Sequence, residues 1–362
     1  MRAQSTILIG LTLLGAAVAH PGGAHDELKM MRDFRATQQV RDLSHCTDKL
    51  KARGVEARNV ARRWDTVNKA RVKRNLHKKD LDSVLATNHN ETALGYTTST
   101  DPAVLFASNS SCLLTPDLTQ GPYYISGEQI RRDVREDQHG IDTVVEYQII
   151  DVDTCEPVPQ VFLELWHCNA TGVYSGVVAD GNGVGWQDQG NINKTFLRGL
   201  QQTDADGVAQ FETIFAGHYS GRATHLHVLI HTDVKVNKCN NTLIGSATPD
   251  TDIPARHVGQ SYFDQDLINL VDTIEPYSTN TQELVENADD VILPEAVANG
   301  ADPFFEYAFL GSDVTDGLFA WISLGINMSE SVSVTPAVHL TAQGGVNTTD
   351  FSQDDYIGAP TK

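Results

Sequence analysis

His225 and His227 stand two residues apart in His225-Leu226-His227-Val228-Leu229-Ile230, a run whose branched and apolar residues predict a β-strand. Alternate side chains of a strand share a face, so both imidazoles point the same way with Cα atoms about 6.6 Å apart. Two imidazoles at that spacing can converge on one metal ion. Leu226, Val228 and Ile230 then face a core, and His231 lies about 13 Å beyond His227, too far to join the same ion. With 13 His in 362 residues, chance supplies roughly half such a pair, so the pair alone leaves structural histidines as an open reading.

Its neighbours add chemistry. Tyr219 and Arg222 sit just upstream on a Gly/Ser-bearing loop. Arg222, three residues before His225 in a chain with only 27 Lys and Arg, is a candidate stabiliser of an anion or enolate. A second tyrosine, Tyr174, closes the stretch Trp166-His167-Cys168-Asn169-Ala170-Thr171-Gly172-Val173-Tyr174. Phenolate and imidazole suit a hard, oxidised iron better than thiolates do. Ionising a tyrosine near pH 7 costs roughly 4 kcal/mol, which a nearby cation can supply.

Taken together, Trp166-His167-x-Asn169-x-x-Gly172-x-Tyr174, then Tyr219, then Arg222-x-x-His225-x-His227 resembles the intradiol ring-cleavage dioxygenases, in particular their secreted fungal-type members. The resemblance runs from about Cys112 to about Phe263. It implies a non-haem Fe(III) held by Tyr174, Tyr219, His225 and His227. It also implies that Arg222 faces a bound catechol and that Gln260, in Gly259-Gln260-Ser261-Tyr262-Phe263, belongs to the active site. Tyr219 would act as general base and Tyr174 would stay on the metal. The implied reaction joins a small aromatic diol and O2 into a cis,cis-muconate-type product, on a two-sheet β-sandwich. The loop from Tyr219 to His225 is shorter than in the bacterial enzymes, and Ala223-Thr224 replaces their Pro-Ala. Both departures touch the pocket wall and bear on substrate choice.

Two rivals stand beside this reading. In a facial-triad Fe(II) oxygenase, His225 and His227 would share the metal with a carboxylate, but His231-Thr232-Asp233 follows where a glutamate is expected. In a non-enzymatic, transthyretin-like β-sandwich binding module, the histidines would be structural.

The elements that must position these residues are mostly short strands. Residues 143–152 and 161–167 read as strands, and Phe211 begins a segment leading to the metal loop. Asp204-Ala205-Asp206-Gly207 lacks the distal ligands of a calcium loop and reads as a hairpin turn with Gly at positive φ. Residues 266–273 form a candidate helix and residues 318–326 a last strand. The expected fold class is mainly β, an antiparallel two-sheet sandwich with an N-terminal helical arm.

Domain expectations follow. Residues 1–19 carry Arg2, an apolar run and Ala17-Val18-Ala19, the pattern of a secretory signal peptide too short to span a bilayer. Cleavage there would leave His20 at the terminus, a possible copper chelator with only His25 near it. Residues 20–82 read as a basic arm of two helices around Gly54, a solvated appendage or, given Arg71-Val72-Lys73-Arg74, a pro-segment. Residues 83–330 form the catalytic domain, and residues 331–362 a Thr/Ser/Gly-rich tail expected to be mobile.

Charge divides the same way. From Asp26 to Asp82 there are 16 Lys and Arg against nine Asp and Glu, while beyond Asp82 only 10 basic residues face 38 acidic ones. Such an acidic main domain excludes a nucleic-acid surface. No second segment could span a membrane, so an extracellular protein is expected. Seven sequons, at Asn90, Asn109, Asn169, Asn193, Asn240, Asn327 and Asn347, fit that compartment, with Asn169 expected to stay unused inside its motif. Five cysteines allow one or two disulfides whose pairing the spacing leaves open. A homodimer is likewise left open.

Overall fold

The computed structural model describes residues 44–74, 113–114, 118, 120–179, 181–183, 185–245, 255–297, 302–311, 313–332 and 334–348. The expected signal segment, His20, His25, Asn90, Asn109 and Cys112 lie outside the described residues. Helices α1 (Thr47–Ala52) and α2 (Val55–Lys73) come first. Strands β1 (Leu113–Leu114), β2 (Ile125–Ser126), β3 (Asp142–Asp151), β4 (Glu156–Pro157), β5 (Phe162–Trp166), β6 (Arg198–Gln202) and β7 (Val208–Ile214) follow. Then come β8 (His225–His231), β9 (Val234–Asn237), β10 (Thr242–Gly245), β11 (Ala255–Tyr262) and helices α3 (Gln265–Asp272) and α4 (Leu293–Ala296). The last are β12 (Glu306–Phe309), β13 (Leu318–Ile326), β14 (Val338–Thr341) and β15 (Gly344–Asn347).

Two sheets pack into the expected sandwich. One has four antiparallel strands in the order β11-β8-β5-β6. The other has six, with β1-β13-β3-β4 in order, β12 added to β13 and β7 to β3. In this second sheet β3 and β13 run parallel over nine residue pairs, whereas short strands separated by turns had indicated antiparallel neighbours. Alternation fixes which face a side chain takes but not the direction of the partner. Leu226, Val228 and Ile230 of β8 meet Val145, Tyr147 and Ile149 of β3 and Ile322 and Leu324 of β13 in one core. The turn at Asp204 is a hairpin: Gly207 has φ +72°, and the Asp204 carboxylate accepts from the Asp206 and Val208 amides.

Residues 44–74 of the arm are not a solvated appendage. Strand β3 is buried along most of its length, yet its second face carries Val144, Glu146 and Gln148. Helix α2 covers that face and brings matching groups. Asn59 donates to the Gln148 side chain at 2.7 Å, and Val67 and Ala70 pack with Val144, Phe319 and Trp321. The fully buried Glu146 accepts from Arg63 Nε at 2.8 Å, Arg62 Nε at 3.1 Å and Gln210 at 2.7 Å. Burial alone would raise this carboxyl; Arg63 and Arg62 hold it below its ordinary value. A disulfide, Cys46–Cys155, ties α1 to the sandwich, while Cys168 and Cys239 are free thiols. The dibasic run ends α2, where Arg71 donates to Leu310 O and Lys73 and Arg74 pair with Glu212 and Asp142.

The C-terminal segment is also ordered further than expected. Strands β14 and β15 pair with each other and β14 pairs with β2, so residues 338–347 are not part of the expected mobile tail. Each strand is only four residues long, Val-His-Leu-Thr and Gly-Gly-Val-Asn, too short to show a strand pattern by itself.

Three outcomes follow from this packing. Glu146→Ala leaves two guanidinium groups without their shared carboxylate and should destabilise by about 3–5 kcal/mol, read as a lower urea midpoint. A chain beginning at Ser83 loses the same cations and the disulfide; it should be insoluble or lack a cooperative unfolding transition, and a normal transition would show that the sheet face tolerates exposure. His167 concerns pH. Its Nδ1 donates to Cys168 O at 2.8 Å and its Nε2 accepts from Thr213 Oγ1 at 2.7 Å, bridging the sheets. Burial lowers this imidazole to about 4, against the opposing Cys168 bond. A folded-state pKa below the unfolded value means stability present above pH ~6.5 and lost as pH falls towards 4, by roughly 3 kcal/mol. His167→Gln, which keeps one donor and one acceptor, should flatten that part of the stability–pH curve; an unchanged slope would rule the bridge out as its source.

Candidate metal centre

The candidate site lies on the outer face of the four-stranded sheet. Register sets its base: Trp166 and Gln260 flank His227 on either side, and Tyr262 is paired with His225. The Trp166 and His227 rings stack, 4.8 Å apart and 6° from parallel. Loops then bring two tyrosines over the histidines.

The Trp-His-x-Asn-x-x-Gly-x-Tyr pattern becomes legible as a device for delivering Tyr174. Asn169 Oδ1 accepts from the Thr171 and Val173 amides and closes a tight turn. Gly172 has φ +80°, and a Cβ there would overlap Gln282 and His218 O. A Cβ on Gly217 would overlap Asn169 O, so the loops bearing Tyr174 and Tyr219 touch backbone to backbone. Asn182 then brackets Tyr174 like a strand partner, accepting its N–H at 2.7 Å and donating to its C=O at 2.9 Å. Buried Arg198 clips the next residue to a third loop, donating to Ser175 O and Tyr123 O.

The four expected ligands come together. Tyr174, Tyr219, His225 and His227 are all at most 2% exposed. The tyrosine rings lie 5.2 Å apart, Tyr219 is 5.6 Å from His225, and Tyr174 is 6.0 Å from His227. His225 Nδ1 is 2.7 Å from Ala223 O, an atom that can only accept, so Nδ1 carries the proton and Nε2 is left to bind. The two Nε2 atoms face each other at 3.0 Å. Two imidazole nitrogens bound at about 2.1 Å and at right angles on one ion would also be about 3 Å apart. Tyr174 Oη is buried and meets no hydrogen-bond partner among the described residues. Burial pushes this phenol well above its ordinary pKa, with Tyr219 adding to the rise, so only a strong local cation would ionise it. The donor set, oxygen and nitrogen without thiolate, fits a hard iron.

Arg222 and Gln260 are beside this cluster, bonded to each other. Arg222 Nη2 donates to Gln260 Oε1 at 2.7 Å and to Tyr262 Oη at 3.0 Å. Sequence reasoning missed their partner. Asp290, 2% exposed, accepts from Arg222 Nε at 2.8 Å and neutralises the guanidinium. It stands in an acidic stretch, Glu286 to Asp290, where no spacing separates it from its neighbours. Tyr123 was missed as well; its ring lies 4.8 Å from that of Tyr174. His231 bonds Glu164 at 2.6 Å, in line with its expected exclusion from the metal face's centre. Asn169 spends its side-chain oxygen on the turn and donates Nδ2 to Gln138 Oε1 at 2.9 Å.

A family model described as a dioxygenase matches residues 119–309. No curated protein matches the chain. Among solved structures, an intradiol ring-cleavage dioxygenase from Tetranychus urticae is 28% identical, with 60% of this chain and 95% of that one covered and a TM-score of 0.46. The dioxygenase domain of a dioxygenase carbohydrate-binding protein fusion from Streptomyces sp. SirexAA-E is 20% identical, covering 59% and 99%, with a TM-score of 0.36. Catechol 1,2-dioxygenase from Pseudomonas arvilla C-1 is 13% identical, covering 65% and 66%, with a TM-score of 0.37. With the family match spanning more than half of the chain, this protein belongs to the dioxygenase family.

Proposed function

We propose that the protein is a secreted non-haem Fe(III) enzyme that opens catechol-type diols between their two hydroxyl-bearing carbons, giving cis,cis-muconate-type products. The observation that carries this reading is the pair of Nε2 atoms 3.0 Å apart beneath two buried tyrosines. Fe(III) held by Tyr174, Tyr219, His225 and His227 would stabilise phenolates and make a bound catecholate reactive towards O2.

The chain's own residues then have distinct tasks. Tyr219 Oη takes a hydroxyl proton from the incoming diol, as a general base. Tyr174 stays in place, its backbone fixed on both sides by Asn182. Arg222 Nη1 is buried and without a hydrogen-bond partner among the described residues, so it is available to donate to negative charge growing on the substrate's oxygen atoms. Gln260 Oε1 is engaged by Arg222 and Tyr262, which fixes the side chain beside the guanidinium. Trp166, Tyr123 and their apolar neighbours keep the cluster dry, where such donors act most strongly.

The rival readings find no support of their own. The carboxylate beside His225 is Asp290, and both its oxygens are taken up by Arg222 and by backbone amides, leaving none for a facial triad. A plain binding module gives no reason to bury the Tyr174 hydroxyl without a partner, which is costly. Secretion rests on the signal-like residues 1–19, and the Cys46–Cys155 disulfide suits an oxidising compartment. Among the described sequons, Asn240 is exposed in the turn between β9 and β10, where a glycan would be accommodated.

Tyr174→Phe removes one phenolate and should abolish most of the broad visible absorption of the iron-loaded protein. His225→Ala and His227→Ala should each lower the iron content measured by metal assay. A full wild-type spectrum in Tyr174→Phe, or undiminished iron in both histidine variants, would reject this ligand set.

A further inference from the structure

Asp290 makes more bonds than the cap of a short helix requires. Its Oδ1 accepts from the Ile292 and Leu293 amides at 2.9 and 2.8 Å, which suffices to start α4. The same carboxylate also accepts from Arg222 Nε at 2.8 Å, Arg222 Nη2 at 3.1 Å and the Ala223 amide at 2.8 Å. Ala223 in turn offers its carbonyl to His225 Nδ1. One buried carboxylate therefore braces the arginine and also holds the amide of Ala223, the residue whose carbonyl meets His225.

The way Arg222 is held matters as much as the fact that it is held. A guanidinium has one forked edge at Nε/Nη2 and another at Nη1/Nη2. Asp290 takes the first edge in bidentate fashion, and Gln260 and Tyr262 fill the remainder of Nη2. Nη1 is the nitrogen left over, buried and without a partner among the described residues. The pair is neutral as a unit. Arg222 thus brings directed N–H groups to the site without a net buried charge, and its aim depends on the clamp.

We propose that Asp290 is a positioning residue for the ring-cleavage reaction, acting through Arg222. This rests on the reading of the site given above. It goes beyond that reading because Asp290 itself touches neither substrate nor iron.

The test uses the full-length, iron-loaded protein and the near-isosteric Asp290→Asn, which keeps an acceptor for the amides but loses the charged bidentate edge. Iron stoichiometry and the visible band should stay at wild-type levels, because no ligand is removed. The kcat for catechol should fall about 10- to 100-fold, and the Kd read from the catechol-induced spectral change should move by less than about threefold. The effect should vanish once Arg222 is gone: Arg222→Gln/Asp290→Asn should match Arg222→Gln in kcat within about twofold. A wild-type kcat in Asp290→Asn, or a loss that multiplies in the double variant, would overturn the proposal. So would loss of iron in Asp290→Asn, which would make Asp290 part of the metal site's framework only. If Asp290→Asn is insoluble, Asp290→Glu serves for the same comparison, since it keeps the charge but displaces the fork; insolubility of both would assign Asp290 to folding alone. A wild-type protein that binds no iron or leaves catechol intact would instead defeat the site reading, an outcome seen before any variant is made.

Discussion

Strand β8 is buried on both faces, and the rest of the molecule is arranged to satisfy that double burial. Its apolar side is met by the second sheet. Its other side carries three imidazoles, which cannot be covered by hydrocarbon without cost. Each finds a different solution: His231 bonds Glu164, His225 bonds Ala223 O, and His225 and His227 turn their Nε2 atoms towards each other under two phenols. The loops carrying Tyr123, Tyr174 and Tyr219 are the lid that this polar face requires.

Strand β3 answers the same constraint in the other sheet with different chemistry. Its outer face holds Glu146 and Gln148, and the basic helix α2 supplies cations and an amide to match. The opposite charges of arm and body are therefore spent inside the structure. Peripheral pairs such as Arg53–Glu156 and Lys73–Glu212 are exposed and contribute little, whereas Arg63 and Glu146 have no solvent to fall back on.

Arginine is scarce in the acidic body, and where it is buried it works as a clip. Arg198 joins the Tyr123 and Tyr174 loops through their carbonyls, and Arg222 joins β11 to the loop before α4. Segments outside the family match take part too. The β14 strand adds Val338 to the apolar cluster around Tyr123, Trp166 and Tyr174, and Ala337 bonds Tyr124 O. The wall of the site is thus built from chain that the family's shared region does not include.

Much of this was legible in the sequence because it is local. The apolar run in residues 318–326 and the branched run in 143–152 marked two strands nearly to the residue, and His-x-His fixed a shared face, since a strand's period is two. The Asn169, Gly172 and Tyr174 spacing belongs to one turn, so its pattern survives in the chain as a motif. What only the tertiary structure decided was partnership across long separations. Asp290 meets Arg222 from 68 residues away, and Glu146 meets Arg63 from 83. A carboxylate looks the same in the sequence whether it is solvated or the single counter-charge of a buried guanidinium. That difference is made by which surfaces fold over it, and no spacing along the chain encodes it.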